Sequence, residues 1–261
     1  MRLDASCEIV FQTDEFVPAV LMLRPRSGWG QWISREEYSF HPRVPVIEFT
    51  DIFGNLCQRV VIPPGITQLR ACCTVDTPDE VDIDTNAAYI LPGNLPDTVL
   101  HFLYPSRYCP SDQLSMLAAE IVQNAIPGYP QVEAIRAWMH QHVEYRYGTS
   151  TQATTALDTA NSRTGVCRDF AHLGIALCRA LNIPARMVVG YAQALKVQDI
   201  HAWFEAYVGG RWFVFDGTSE KTSGNRIAIA YGRDATDVAF VTQFGPLILS
   251  NLTVSVIPSA D

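Results

Sequence analysis

The chain has 261 residues, 48% hydrophobic and 18% charged, which is enough apolar material for one large core or two smaller ones and excludes wholesale disorder. Its 27 acidic and 19 basic residues leave a formal charge of −8, and no block of lysine and arginine stands out, so neither nucleic acid nor an anionic membrane is an expected partner. The opening Met1–Glu8 carries charges where a secretion signal needs an apolar run, and no uncharged stretch approaches the roughly 20 residues of a membrane span, so the expected location is cytoplasmic.

Residues 1–85 alternate apolar and polar positions in short runs: Cys7–Phe11, Ala19–Leu23, Val46–Phe49, Gln58–Ile62 and Leu69–Val75. Period-two runs separated by Pro, Gly and Asn, without a helical pattern, predict an antiparallel β-sandwich module. Asp51-Ile-Phe-Gly54-Asn55 reads as a connection between two of its strands, because Gly and Asn tolerate positive φ. The acid-rich stretch Asp76–Asp84 lacks the central Gly and closing Glu of a calcium loop and is expected to be a solvated linker at a domain boundary.

A second domain is expected over 86–261. Proline-pinned segments around Leu91–Pro96 and Tyr104–Pro110 lead into helices over Ser111–Val122, capped by Ser111 or Asp112, and Tyr129–Val143. A third helix runs from Cys167 to Leu181, its buried stripe including Phe170, Leu173 and Leu181. Strands follow at Ala185–Tyr191, His201–Val208, Arg211–Asp216 and Leu247–Ile257, and this order of elements predicts an α+β fold.

Seven cysteines, an odd number without regular spacing, do not form a disulfide framework and are expected to be mostly reduced core residues. Cys167 is singled out because it stands where a loop turns into a helix. A helix N-terminus and an imidazolium neighbour both favour thiolate over thiol, and the thiolate is the nucleophile. His201 and Asp216 lie downstream on two strands joined by Gly209-Gly210. If these glycines form a two-residue turn, Val208 pairs with Arg211, which sets Trp203 opposite Asp216 and His201 opposite Thr218. His201 and Asp216 are then diagonal neighbours about 7–8 Å apart at Cα on one face, within side-chain hydrogen-bonding reach. Cys167, His201 and Asp216 are therefore the candidate catalytic nucleophile, base and orienter.

A zinc site using Cys167, His172 and His201 lacks the paired ligand spacing that zinc sites show, and His140 and His142 fall on different helix faces, so no metal and no cofactor are expected. Arg168 reads as a solvated arginine and His172 as a partly buried structural histidine. Asp169 would disfavour a thiolate and fits better as a helix N-terminal carboxylate or a bond to the preceding loop.

The run Thr164–Tyr191, with Gly165-Val-Cys167-Arg-Asp-Phe-Ala-His-Leu173 at its start, followed by His201-Ala-Trp-Phe-Glu-Ala-Tyr207 and Trp212-Phe-Val-Phe-Asp216, closely resembles the bacterial transglutaminase-like superfamily. The N-terminal strands, with Leu21–Arg26 and Asp51–Asn55, resemble the β-rich region that often precedes this core in bacterial members. The resemblance implies a papain-like core of helices packed on an antiparallel sheet or barrel, with Cys167 as nucleophile, His201 as base and then acid, and Asp216 as orienter. It implies acyl transfer on a peptide or protein-like amide through a thioester, with hydrolysis expected over crosslinking, and a second oxyanion donor near Tyr145-Arg146-Tyr147. The family's usual Asp-Pro-Thr is here Asp216-Gly217-Thr218, which is expected only to loosen the strand end. Two other readings use the same chain: a non-catalytic binding or assembly protein that keeps the fold, and a partner-binding role for the N-terminal module through Trp29 and Trp32. The edge-rich β module is also compatible with a homo-oligomer.

Overall fold

In a computed structural model, residues 1–28, 30–193, 195 and 197–259 are described. The strands, in chain order, are β1 (Arg2–Thr13), β2 (Val17–Leu21), β3 (Trp32–His41), β4 (Ile47–Thr50), β5 (Leu56–Ile62) and β6 (Gly65–Asp76), then β7 (Glu144–Tyr145), β8 (Thr164–Gly165), β9 (Ala185–Ala192), β10 (Ile200–Val208), β11 (Arg211–Phe215), β12 (Arg226–Gly232), β13 (Val241–Gln243) and β14 (Ile248–Pro258). The α-helices are α1 (Asp97–Leu100), α2 (Ser115–Ile121), α3 (Tyr129–His142), α4 (Ala156–Ser162) and α5 (Cys167–Ala180).

β1 shows the physical rule behind the N-terminal sheets. Leu3, Ala5, Cys7, Ile9, Phe11 and Thr13 point inward and are buried, while the residues between them face out. Two antiparallel sheets result, ordered β14-β1-β6-β3 and β13-β2-β5-β4. The third sheet, β11-β10-β9-β12, is also antiparallel, and α5 lies across its strands β9 and β10. The mixed α+β architecture is therefore as expected, and one continuous apolar core joins the N-terminal strands to α5 and the third sheet.

Several elements differ from expectation. The segment 247–257 belongs with the N-terminal strands: β14 pairs with β1 from Leu3↔Pro258 to Gln12↔Ile248, so the boundary at residue 85 divides the sequence but not the sheets. The reason is that β1, paired with β6 along one edge, leaves its other edge to be filled. The helix expected from Ser111 begins as a 3-10 turn over 111–113 and becomes α-helical at Ser115. Strand β3, an edge strand with every side chain at least partly exposed, packs on the core only through Ile33, Tyr38 and Phe40. Trp32 at its start is 65% exposed, while Trp29 lies outside the described residues. All seven cysteines are free thiols. Among the described residues no helix is long and apolar enough to cross a membrane.

Strand β12 is the edge of the third sheet, and two side-chain amides from the N-terminal region cover it. Gln31 donates from Nε2 to the Ala228 carbonyl (2.8 Å) and accepts at Oε1 from the Ala228 N–H (2.8 Å). Asn55 does the same to Tyr231, at 2.7 Å and 2.8 Å. Each amide thus copies the donor and acceptor of a neighbouring strand residue. Asn55 is 1% exposed, so truncating it strands the Tyr231 N–H and carbonyl away from water. Asn55→Ala is expected to lower unfolding free energy by about 2–6 kcal/mol, one to three for each of the two orphaned groups, as measured by urea denaturation.

Candidate active site

The turn between β10 and β11 decides which way the histidine and the carboxylate face. Gly209 and Gly210 adopt φ of 58° and 88°, the two positive values that a type I′ turn needs, and Val208 pairs with Arg211 as the spacing predicts. The register runs on to Phe204↔Phe215, which carries Trp203 opposite Asp216. His201 Nε2 lies 2.8 Å from Asp216 Oδ2, and the His201 ring stacks beside Trp203 at 6.1 Å. His201 is 3% and Asp216 2% exposed.

Asp216 is held on both oxygens. Oδ1 accepts from the Thr218 N–H (2.9 Å) and hydroxyl (2.7 Å), while Oδ2 accepts from Arg226 Nη2 (2.8 Å) as well as from His201. Burial would raise this carboxyl, but the Arg226 charge and the His201 and Thr218 hydrogen bonds hold it well below the usual carboxylate range. Arg226 sits on β12 and also lies over the Trp203 ring at 5.1 Å. No sequence signal marked it, because a lone arginine entering an apolar run has no motif.

Gly217 stands at a close approach of helix α3. A Cβ there would come within 2.8 Å of Met139 Cε and 3.1 Å of Met139 Cβ, so the missing side chain lets α3 pack closely on this loop.

Cys167 opens α5. Val166 is the N-cap, its N–H donating to Asp169 Oδ2 (2.9 Å), and the first N–H groups of the helix have no intrahelical acceptor. Asp169 is fully buried, and its Oδ1 accepts from Ser150 Oγ (2.9 Å), so it works as the helix-start and loop carboxylate. Arg168 is half-buried rather than solvated, bonded to Ser150 Oγ (3.0 Å) and the Thr151 carbonyl, because it closes the same loop over the helix start. His172 is fully buried rather than partly so, stacked on Tyr108 at 5.0 Å and accepting at Nε2 from the Ala235 N–H (3.1 Å). Burial pushes it down to about 3, which keeps it neutral. Among the described residues, no group of three or more His, Cys, Asp and Glu is placed to hold a metal ion.

The Cys167 sulfur and the His201 ring line one cleft, within hydrogen-bonding and electrostatic reach of each other. With Nε2 turned to Asp216, the ring nitrogen left for the sulfur is Nδ1. Burial would lower the imidazole, but the hydrogen bonds and charges of Asp216 and Cys167 outweigh it and raise His201 to about 9. The short parallel pair of β7 and β8, with Tyr145 opposite Gly165, brings the Tyr145 phenol against the Cys167 backbone N–H and sulfur. Burial and the Cys167 charge push that phenol above its ordinary range.

With this geometry in hand, the comparisons with known proteins are informative. Residues 115–217 match the description of the transglutaminase-like superfamily, a span that holds Cys167, His201 and Asp216. A crystal structure from Cytophaga hutchinsonii, described as a candidate cysteine protease, is 35% identical and superposes with a TM-score of 0.92 over 100% of this chain and 92% of its own. The chain belongs to the transglutaminase-like superfamily. An uncharacterised protein of Mycobacterium leprae is 27% identical over 246 residues, 88% of this chain and 78% of the relative. Human kyphoscoliosis peptidase is 27% identical over 128 residues, 44% of this chain but 19% of that protein.

The two titration shifts set a stability window. A depressed carboxyl stabilises the fold above its ordinary 3.8 and loses that contribution as pH falls further. A raised imidazole stabilises it below its ordinary 6.5 and loses that contribution as pH climbs through about 9. The pair's contribution is therefore full between 3.8 and 6.5 and declines on the alkaline side. Urea titrations at successive pH values are expected to show that alkaline decline in the wild type and to lose it in His201→Gln.

Proposed function

We propose that this chain is a cysteine-dependent acyl-transfer enzyme that cleaves peptide-like amides through a thioester on Cys167 and ends in hydrolysis. One observation carries the proposal: a buried His201 bonded at 2.8 Å to Asp216, with the sulfur of a helix-start cysteine in reach of the same ring. Family membership and the 35% identical neighbour support cysteine-dependent catalysis in general.

The steps follow from the groups present. The Cys167 thiolate attacks the amide carbonyl carbon while His201 holds the proton as imidazolium. The negative oxygen that forms is stabilised by N–H donors at the start of α5, and the Tyr145 hydroxyl supplies the second donor. His201 then protonates the leaving nitrogen, the C–N bond breaks, and the acyl group remains on sulfur. Neutral His201 next takes a proton from water, hydroxide adds to the thioester, and the C–S bond breaks to release a carboxylic acid and restore the Cys167 thiolate beside protonated His201. Asp216, pinned by Thr218 and Arg226, holds the ring and balances its positive charge. Hydrolysis is favoured over crosslinking to a lysine because the cleft bears Arg107 and Arg168 against a single acid, Asp199, and a cationic acceptor would meet net positive charge.

Intact-mass measurement with peptide esters is expected to show a single acyl adduct in the wild type that is absent in Cys167→Ala; an adduct that persists in the variant would overturn the assignment. At pH 7, His201→Ala is expected to slow iodoacetamide labelling of Cys167 by about tenfold or more, as the base that takes the thiol proton is removed. Tyr145→Phe is expected to lower kcat by about 10²-fold with little change in KM, the signature of an oxyanion donor; an unchanged kcat would remove Tyr145 from the mechanism.

A further inference from the structure

The cleft that starts at Cys167 and His201 continues well past them. Its volume is about 590 Å³, within the range of small-ligand sites and far larger than a scissile amide needs. One wall is the third sheet, where Met187, Val189 and Ala202 are nearly fully buried. The facing wall comes from beyond β12: Val238 and Phe240 in the loop before β13, and Leu252 on β14. Polar groups such as Arg107, Gln152 and Asp199 also line it, but none of these six wall residues is charged.

We infer that this cleft is a substrate subsite for a large apolar side chain flanking the scissile carbonyl. The inference rests on the acyl-transfer reading of Cys167 and adds the class of substrate to it. Three features support it. The cleft shares its lining with the reacting groups, so whatever fills it lies next to the bond being cleaved. Between the two apolar walls, the six residues named offer no hydrogen-bonding side chain to replace the water a polar substrate group would lose, so a charged or amide side chain seated there would be desolvated without compensation. An apolar side chain would instead displace water held against apolar surface. The sheet wall is also rigid: Met187 and Val189 lie on the central strand β9, paired on both sides, so the cavity exists before substrate arrives.

Two ester and amide series on the full-length protein test this. The first keeps a p-nitrophenyl leaving group and varies the acyl residue among glycyl, leucyl, phenylalanyl, glutamyl and lysyl. The second keeps an acetylglycyl acyl group and varies the leaving amine among the same residues. In one of the two series, leucine and phenylalanine are expected to exceed glycine, glutamate and lysine in kcat/KM by about tenfold or more. The series that shows the preference identifies the side of the bond the cleft serves. In Ala239→Trp, which places a bulky ring in the lining from a partly exposed loop position, that preference is expected to shrink to about threefold or less. Adduct formation at rates equal within about twofold for every residue in both series would overturn the subsite and leave the acyl-transfer reading intact. Failure of every ester to acylate Cys167 would overturn both.

Discussion

The hydrogen bond between His201 and Asp216 is the constraint around which the third sheet is organised. A carboxylate and an imidazolium can share a nearly dry site only when each charge has a partner, because desolvation alone would neutralise both. Here the partners come from four directions. Gly209-Gly210 set the register of β10 and β11, Thr218 caps one carboxylate oxygen, Arg226 supplies a full positive charge to the other, and Cys167 lies on the far side of the ring. Arg226 in turn depends on β12, and β12 is held at its outer edge by the amides of Gln31 and Asn55. A line of direct contacts thus runs from the N-terminal β region to the buried carboxylate.

Much of this was legible in the sequence, and the parts that were not share a physical cause. The orientation of His201 and Asp216 followed from a two-residue Gly-Gly turn, since strand parity leaves only one outcome once the turn length is known. Helix α5 was legible because its apolar stripe repeats at helical spacing and its start coincides with a Gly-Val-Cys entry. Strand β12 was not singled out: it is buried on both faces, so it shows an apolar run rather than alternation. Helix α4 is held by a reciprocal Thr155 and Asp158 cap rather than by an apolar stripe, which makes it too short for a periodic signal. Gln31 and Asn55 act across separations of 197 and 176 residues, and nothing in their local sequence, or in that of Arg226, distinguishes a buried, bonded polar residue from an exposed one.

The cleft illustrates the same separation of sequence from space. Its floor belongs to strands of the third sheet, yet part of its opposite wall is carried by β14, whose backbone partner is β1. The residues around the Cys167 sulfur are therefore drawn from a stretch of chain that reaches well beyond the span matching the superfamily. On the proposed acyl-transfer reading, superfamily members that keep Cys167, His201 and Asp216 but differ in their flanking β regions are expected to differ in what they accept rather than in the chemistry they perform.

The pairing of β14 with β1 also bears on how the molecule is made. Cys7 finds one neighbour in Ala71 and the other in Val254, so one edge of β1 is satisfied by strand β6 and the other only by β14, far downstream in the chain. Until then a twelve-residue strand presents unpaired amides and carbonyls to the solvent. A nascent chain therefore carries an open β edge until β14 has been made, and completion of this sheet is governed by loop-closure entropy rather than by local propensity.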